Sequence, residues 1–202
     1  MQNIHRQEIV SKMADEGDVL YRQNPDTLDI VVERLKRDEV MVLPCDTIYG
    51  LCAKVGPAKE KLYALKYRDE RKPFLLLATL DQAKEICDVP KDIEACWPCP
   101  LTAIMHNKNG EGTTAIRVPS DPFLQKVLEK LGSPIYSTSV NLSGYASMTS
   151  ITDIIFTFKD KVPTFVVGDE KQGTVPSTLI DCTVHPYRII RQGSYNASAL
   201  TI

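Results

Sequence analysis

No stretch of this 202-residue chain is apolar for long enough to cross a bilayer. The opening segment, MQNIHRQEIVSKMADEGD, carries charges throughout and contains no apolar core of signal-peptide length. A cytoplasmic protein with no membrane partner is therefore expected. The glycine signatures that cradle nucleotides are missing too. Neither G-x-x-x-x-G-K-[ST] nor G-x-G-x-x-G occurs, so any bound nucleotide must be held in another way. Histidine is scarce: His5, His106 and His185 are scattered, without a Ser- or Cys-plus-acid pattern, which leaves triad chemistry unsupported. There is no basic tail, since 24 Lys and Arg stand against 26 Asp and Glu for a net charge of −2. Tight non-specific nucleic-acid binding is thus excluded as a whole-chain property, although a local basic patch is not. Repeats, low-complexity tracts and Gly/Ser-rich linkers are also absent.

What remains is the composition of an ordinary globular domain, 43% hydrophobic and 25% charged. Six cysteines (Cys45, Cys52, Cys87, Cys96, Cys99 and Cys182) sit at irregular spacing, and reduced, core-filling thiols are the expectation for most of them. The Cys96-Trp97-Pro98-Cys99 spacing is that of a redox or zinc motif. Its context argues against both, because Pro100 and a strand follow and no second metal-binding pair completes a site.

Residues 1–24 are polar and read as an N-terminal arm, frayed or added as an edge strand, with one domain over 25–202. Asn24-Pro25-Asp26 caps a helix whose apolar face is Leu28, Val31, Val32 and Leu35. Val40–Leu43 reads as a buried strand ended by Pro44. A helix follows from Pro57 to Tyr67, with Ala58, Leu62 and Leu65 inward and its lysines outward. Further strands are expected at 74–78, 101–106, 113–118, 135–140, 164–167, 178–182 and 187–190, and helices at 80–88, 92–97, 121–131 and 150–159. This uneven alternation predicts an α/β fold: a single domain with an open, twisted mixed sheet and flanking helices.

Four polar segments interrupt that pattern. Pro44–Leu51 follows a buried strand, where α/β proteins bind ligands; Thr47 offers a hydroxyl and Gly50 a close backbone approach, or the segment is an ordinary strand-to-helix turn. Lys66–Pro73 packs four cations into a short stretch at a helix end, suited either to a polyanion or to the helix dipole. Lys66 and Arg68 cannot share a helical face, so the helix has to end between them. Thr113–Pro119 puts Thr113, Ala115 and Arg117 on one face of a strand, and Arg117 needs an anionic partner, internal or bound. Ser137–Gly144 offers Ser139 and Asn141 on one side of a strand end, or forms a serine-rich turn.

In order, PCDTIYGL, LYALKYRDERKP, WPCPLT, TTAIRVP, STSVNLSG, STLIDCT and RIIRQG resemble the YrdC-like family over Val40 to Gly193. The best-known members of that family are threonylcarbamoyl-AMP synthases. The resemblance implies a sheet curved around a large positively charged cavity. It also implies conversion of L-threonine, bicarbonate and ATP, with Mg2+, to threonylcarbamoyl-AMP and pyrophosphate, by a nucleotidyltransferase serving tRNA modification. Lys66 and Arg68 match the K-x-R pair expected to meet phosphate and carbamoyl oxygens. Thr47, Lys72, Arg117, Ser139 and Ser177 match positions on the threonine side, Lys72 being the residue before the motif's proline. Thr113, Asn141, Thr149 and Arg191 match the nucleotide side. No protein-bound structural metal is implied, and a separate threonylcarbamoyl transferase would consume the product. Cys45, Cys99 and Val140 stand where the family usually has Thr, Gly and Ala.

Two other readings are distinguishable. A YciO-like paralogue would keep the fold and bind nucleotide or double-stranded RNA with weak or no synthase activity. Such relatives tend to lose the Lys and Asn present here as Lys66 and Asn141. An RNA-binding module, taking double-stranded RNA or tRNA on a basic concave face, is disfavoured by the acidic charge balance.

Overall fold

Alternation along the strands divides the apolar residues between two faces of one sheet. In β2 (Met41–Leu43), Val42 packs into one core while Met41 and Leu43 pack into another. In β3 (Gly50–Lys54), Leu51 and Ala53 join the first core and Cys52 the second. Helices therefore cover both sides in the computed structural model, which describes residues 18–142, 144–168 and 175–201. α2 (Ala58–Lys66) and α6 (Ile151–Phe158) lie over one face; α1 (Thr27–Lys36) and α5 (Pro122–Leu131) lie over the other. A third cluster gathers α3 (Leu80–Ile86), α4 (Lys91–Cys96), β5 (Leu101–His106) and β6 (Thr113–Arg117).

α5 shows how local sequence sets an element's limits. Asp121 Oδ1 accepts from the Phe123 and Leu124 amides, both at 2.9 Å, and Pro122 occupies the first turn, where its missing N–H costs nothing. Gly132 ends the helix at φ 65°, a left-handed conformation that favours glycine. Phe123, Leu124, Val127, Leu128 and Leu131 are buried between these stops. Each such side chain contributes about 1.5–3 kcal/mol before chain entropy is counted.

The described strands run β1-β8-β2-β3-β7-β4-β6-β5-β9-β10, adding β1 (Asp18–Tyr21), β4 (Leu75–Leu77), β7 (Ile135–Ser139), β8 (Thr164–Val167), β9 (Thr178–Asp181) and β10 (Arg188–Arg191). Pairing is mixed. β8 is parallel to β1 and β2, β4 to β6 and β5 to β9, and the remaining neighbours are antiparallel. The expected open mixed α/β sheet is thus present. Of the polar N-terminal arm expected over 1–24, Asp18–Tyr21 forms the β1 edge strand, and residues 1–17, with His5, lie outside the described residues. Among the described residues no helix is long and apolar enough to cross a membrane.

Two local expectations are corrected. Gly50–Lys54 is a strand, where a strand-to-helix turn was an open reading; β2 and β3 form a hairpin in which Leu43 pairs with Gly50 and Met41 with Cys52. The segment GLCAK has no β-branched residue to signal a strand, and its pairing with both β2 and β7 decides the matter. The lysines of α2 do not all face outward. Lys59 and Lys61 do, but Lys66 is 2% exposed.

Candidate active site

The register that pairs Gly50 with Ser139 and Cys52 with Ser137 brings the start of β3 against the end of β7. Leu75 of β4 lies beside Ser137 on the opposite flank. Around these strand ends opens a cavity of about 260 Å³. Thr47, Arg68, Arg117, Ser139, Ser177 and Arg191 all line it, brought together from six separated segments. No carboxylate is among its described lining residues.

Tyr67, at φ 49°, ends α2 in the left-handed region, so that Lys66 and Arg68 leave the helix differently. Lys66 turns inward. Its Nζ donates to Ser139 O (2.5 Å), Asn141 Oδ1 (2.6 Å) and Thr138 Oγ1 (3.2 Å), using all three N–H groups. The same Asn141 oxygen accepts from Ser139 Oγ at 2.7 Å, and Asn141 Nδ2 donates to Tyr145 O at 2.6 Å. Burial, reinforced by the nearby Arg68 charge, lowers the Lys66 pKa to about 8. Arg68 takes the outer path. Its Nε donates to Lys72 O (2.9 Å) and its guanidinium sits 5.3 Å over the Phe74 ring, so the 69–73 loop wraps the side chain and aims it at the cavity.

Across the cavity Arg117, whose side chain is 4% exposed, pairs with Asp46 at 3.0 Å and donates from Nη1 to Thr47 Oγ1 at 2.9 Å. The internal partner that sequence left open is therefore Asp46. It does not exhaust the guanidinium, whose buried Nε has no hydrogen-bond partner. Asp46 Oδ2 is itself held by the Ser120 amide at 3.1 Å. Arg191 Nη2 donates to Ser177 O at 2.9 Å, and Ser177 Oγ shares a 2.8 Å hydrogen bond with Thr102 Oγ1. Burial first, then repulsion from Arg117, lowers the Arg191 pKa. Like charges thus crowd twice, Lys66 with Arg68 and Arg117 with Arg191. Such a cavity favours an anionic occupant.

The other candidate positions lie elsewhere. Asn141 stands behind the wall, on Lys66. Lys72, Thr113 and Thr149 are exposed and are not among the residues lining the cavity. Sequence reasoning did not single out Asp46, Tyr49, Phe74, Thr102 or Ser147. Asp46 had a usable signal, since a carboxylate next to Thr47 in a buried loop predicts a cationic partner.

Gly193 limits the far wall. A Cβ there would sit inside 3.0 Å of Pro176 O and of the Ser177 carbonyl carbon and oxygen, all backbone atoms. Gly193→Ala is expected to cost about 1–3 kcal/mol by overpacking and to displace Ser177. Thermal unfolding measures the first effect, and ligand titration the second.

Comparison with known proteins gives a consistent result. Residues 33–193 match the Sua5/YciO/YrdC family model, described as "Telomere recombination". A threonylcarbamoyl-AMP synthase of Pseudoalteromonas translucida is 30% identical over 175 residues, covering 77% of this chain and 92% of that protein. The threonylcarbamoyl-AMP synthase of Pyrococcus abyssi, 27% identical over 79% of this chain, is longer, and the chain spans about half of it (52%). The structure of P. abyssi Sua5 complexed with L-threonine matches with a TM-score of 0.78 at 26% identity, over 87% of this chain and 56% of that one.

Proposed function

Since the chain belongs to the Sua5/YciO/YrdC family, we propose that it is an L-threonylcarbamoyladenylate synthase, a nucleotidyltransferase acting on L-threonine, bicarbonate and ATP. One observation carries the reading: Arg68, Arg117 and Arg191 line a single cavity together with the hydroxyls of Thr47, Ser139 and Ser177, with the Lys66 ammonium directly behind Ser139. The relatives' names and the L-threonine complex of the Pyrococcus protein support it.

The chemistry asks for such a site. The amine of threonine captures dissolved carbon dioxide and loses a proton to give a carbamate. A carbamate oxygen then bonds to the α-phosphorus of ATP while the bond to the β-phosphate oxygen breaks, releasing pyrophosphate. Two anions have to meet, and charge builds on the leaving group. Fixed cations and oriented donors lower that barrier by position and electrostatics, with no nucleophilic side chain needed. Arg117 has guanidinium donors to spare for the threonine carboxylate, with Thr47, Ser139 and Ser177 as hydroxyl partners. Arg68 and Arg191 serve the phosphates, and Lys66 supplies positive charge while holding Ser139 and Asn141 in place. Lys72, Thr113 and Thr149 are assigned to the outer approaches of the cavity, Lys72 on the threonine side and the two threonines on the nucleotide side. Asp46, next to the cavity-lining Thr47, is engaged by Arg117 and Ser120. Magnesium is accordingly assigned as part of the MgATP substrate, held by phosphate oxygens and water. The product is a reactive mixed anhydride, to be consumed by a transferase acting on tRNA.

Pyrophosphate release, followed while each substrate is omitted in turn, tests the proposal. Release that requires threonine, bicarbonate and MgATP together, with threonylcarbamoyl-AMP seen by mass spectrometry, is the expected result. Pyrophosphate formed without threonine, or nucleotide bound without turnover, would remove the synthase reading.

A further inference from the structure

Cys45 and Cys52 have no part in the reaction above, yet Cys45 lines the cavity and Cys52 lies buried behind it. Cys52 lies in β3, and Cys45 lies in the loop of the β2–β3 hairpin that carries Asp46 and Thr47. The hairpin brings the two sulfurs to one point. The position a Cβ on Gly50 would occupy is 3.1 Å from Cys45 Sγ and 3.2 Å from Cys52 Sγ, with Ser137 Oγ at 2.8 Å. Only a residue without a side chain admits both thiols there. Hydrogen bonding with Cys52, then burial, pushes the Cys45 thiol well up, whereas hydrogen bonding from Cys45 lowers the Cys52 thiol against its burial. For the pair, the proton on Cys52 is the easier to lose, because Cys45 donates to the resulting thiolate and Ser137 adds a second hydrogen bond.

We propose that Cys45 and Cys52 form a reversible disulfide across the β2–β3 hairpin, a modification site that reshapes the threonine side of the cavity. Its effect on threonine rests on the synthase reading; the bond itself does not. Cys45 lines the cavity, so a small oxidant such as hydrogen peroxide reaches the pair through it. The Cys52 thiolate attacks one peroxide oxygen, the O–O bond breaks, and a sulfenic acid and hydroxide form. Cys45 sulfur then attacks Cys52 sulfur, the S–O bond breaks, and the departing hydroxide takes the Cys45 proton as water. In sum, two thiols are oxidised by two electrons and one peroxide is reduced to two waters.

Geometry decides which part moves. A disulfide requires the sulfurs to close to about 2.05 Å, far shorter than a hydrogen-bonded contact. β3 is laddered to β2 on one side and β7 on the other, which anchors Cys52. Cys45 lies outside the strand ladder. The shift therefore falls on the loop that presents Thr47 and Asp46 to Arg117. The remaining cysteines make poorer partners. Burial pushes the Cys87 and Cys99 thiols up to about 11 and Cys182 to about 12, and it is Cys45 and Cys52 whose sulfurs meet beside Gly50.

The full chain is treated with hydrogen peroxide, denatured, capped with N-ethylmaleimide and digested with trypsin without reductant. One tryptic peptide, Asp38–Lys54, contains both cysteines. It is expected uncapped and two hydrogens lighter, and to accept two caps after dithiothreitol. L-threonine affinity, measured by titration, is expected to fall at least about tenfold on oxidation, to recover with dithiothreitol, and to be insensitive to peroxide in Cys52→Ser. Two caps on the peptide after peroxide, or a Cys96–Cys99 bridge in its place, would overturn the proposal, as would a bridged protein with unchanged threonine affinity. A bridge in a protein that never releases pyrophosphate leaves the disulfide standing and removes the synthase reading alone.

Discussion

Replacing Lys66 with methionine is expected to lower pyrophosphate release by about 100- to 1,000-fold, the loss typical of removing one preorganised electrostatic group. The substitution deletes a buried cation and also releases Ser139 and Asn141, which share its three hydrogen bonds with Thr138. Lys66→Arg is expected to fail as well. A planar guanidinium does not match three acceptors arranged around a tetrahedral ammonium. A pH titration separates the charge from the packing. Burial and Arg68 bring the Lys66 pKa from an ordinary 10.5 to about 8, so MgATP affinity should weaken above pH 8 as the ammonium is lost. Over the same interval the unfolded chain still binds the proton that the folded chain has released, so this group's contribution to stability rises with pH. Affinity falling while unfolding temperature holds identifies loss of charge rather than loss of fold. In Lys66→Met the break near pH 8 should disappear, and a break that persists would mean another group titrates there.

The history of Lys66 shows what sequence could and could not tell. Its spacing from Arg68 required the helix to end between them, and α2 does end at Lys66, with Tyr67 left-handed. Composition, however, suggested that α2's lysines were solvated. Burial of Lys66 is a tertiary event: its three acceptors come from β7 and the segment after it, more than seventy residues on. The same limit hid β3. GLCAK carries little strand propensity, and its strand exists because β2 and β7 supply partners on both sides. Strongly periodic elements such as α5 and β5 were legible because their own alternation or helical spacing is enough to bury one face. Within the site, Thr47, Arg68, Arg117, Ser139, Ser177 and Arg191 were nameable through the family resemblance, Ser177 and Arg191 through it alone, and the cavity gathers all six. That the two needs, of Arg117 for an anion and of Asp46 for a cation, meet in one pair was not legible, because nothing in their spacing fixes it.

That meeting makes Arg117 the second position of large expected effect, and one where stability and binding can be pulled apart. Arg117→Met should weaken L-threonine binding at least about 30-fold, as truncating one partner of a buried charge pair does. It should also destabilise the fold, because Asp46, with its side chain 7% exposed, loses its cation. An orphaned buried carboxylate costs about 3–5 kcal/mol, or roughly 10 °C of unfolding temperature for a chain of this size. A loss of activity in the single variant is therefore ambiguous. Adding Asp46→Asn removes the stranded charge while its amide oxygen still accepts from the Ser120 amide. The double variant should recover most of the unfolding temperature and none of the threonine affinity. If affinity returned together with stability, Arg117 would be a structural partner of Asp46, and the threonine carboxylate would have to be held by Arg191 or by the hydroxyls of Thr47 and Ser177. If neither returned, the guanidinium would be holding the 45–49 loop through Thr47 Oγ1 rather than through the ion pair, and Thr47→Val would then reproduce the loss of stability.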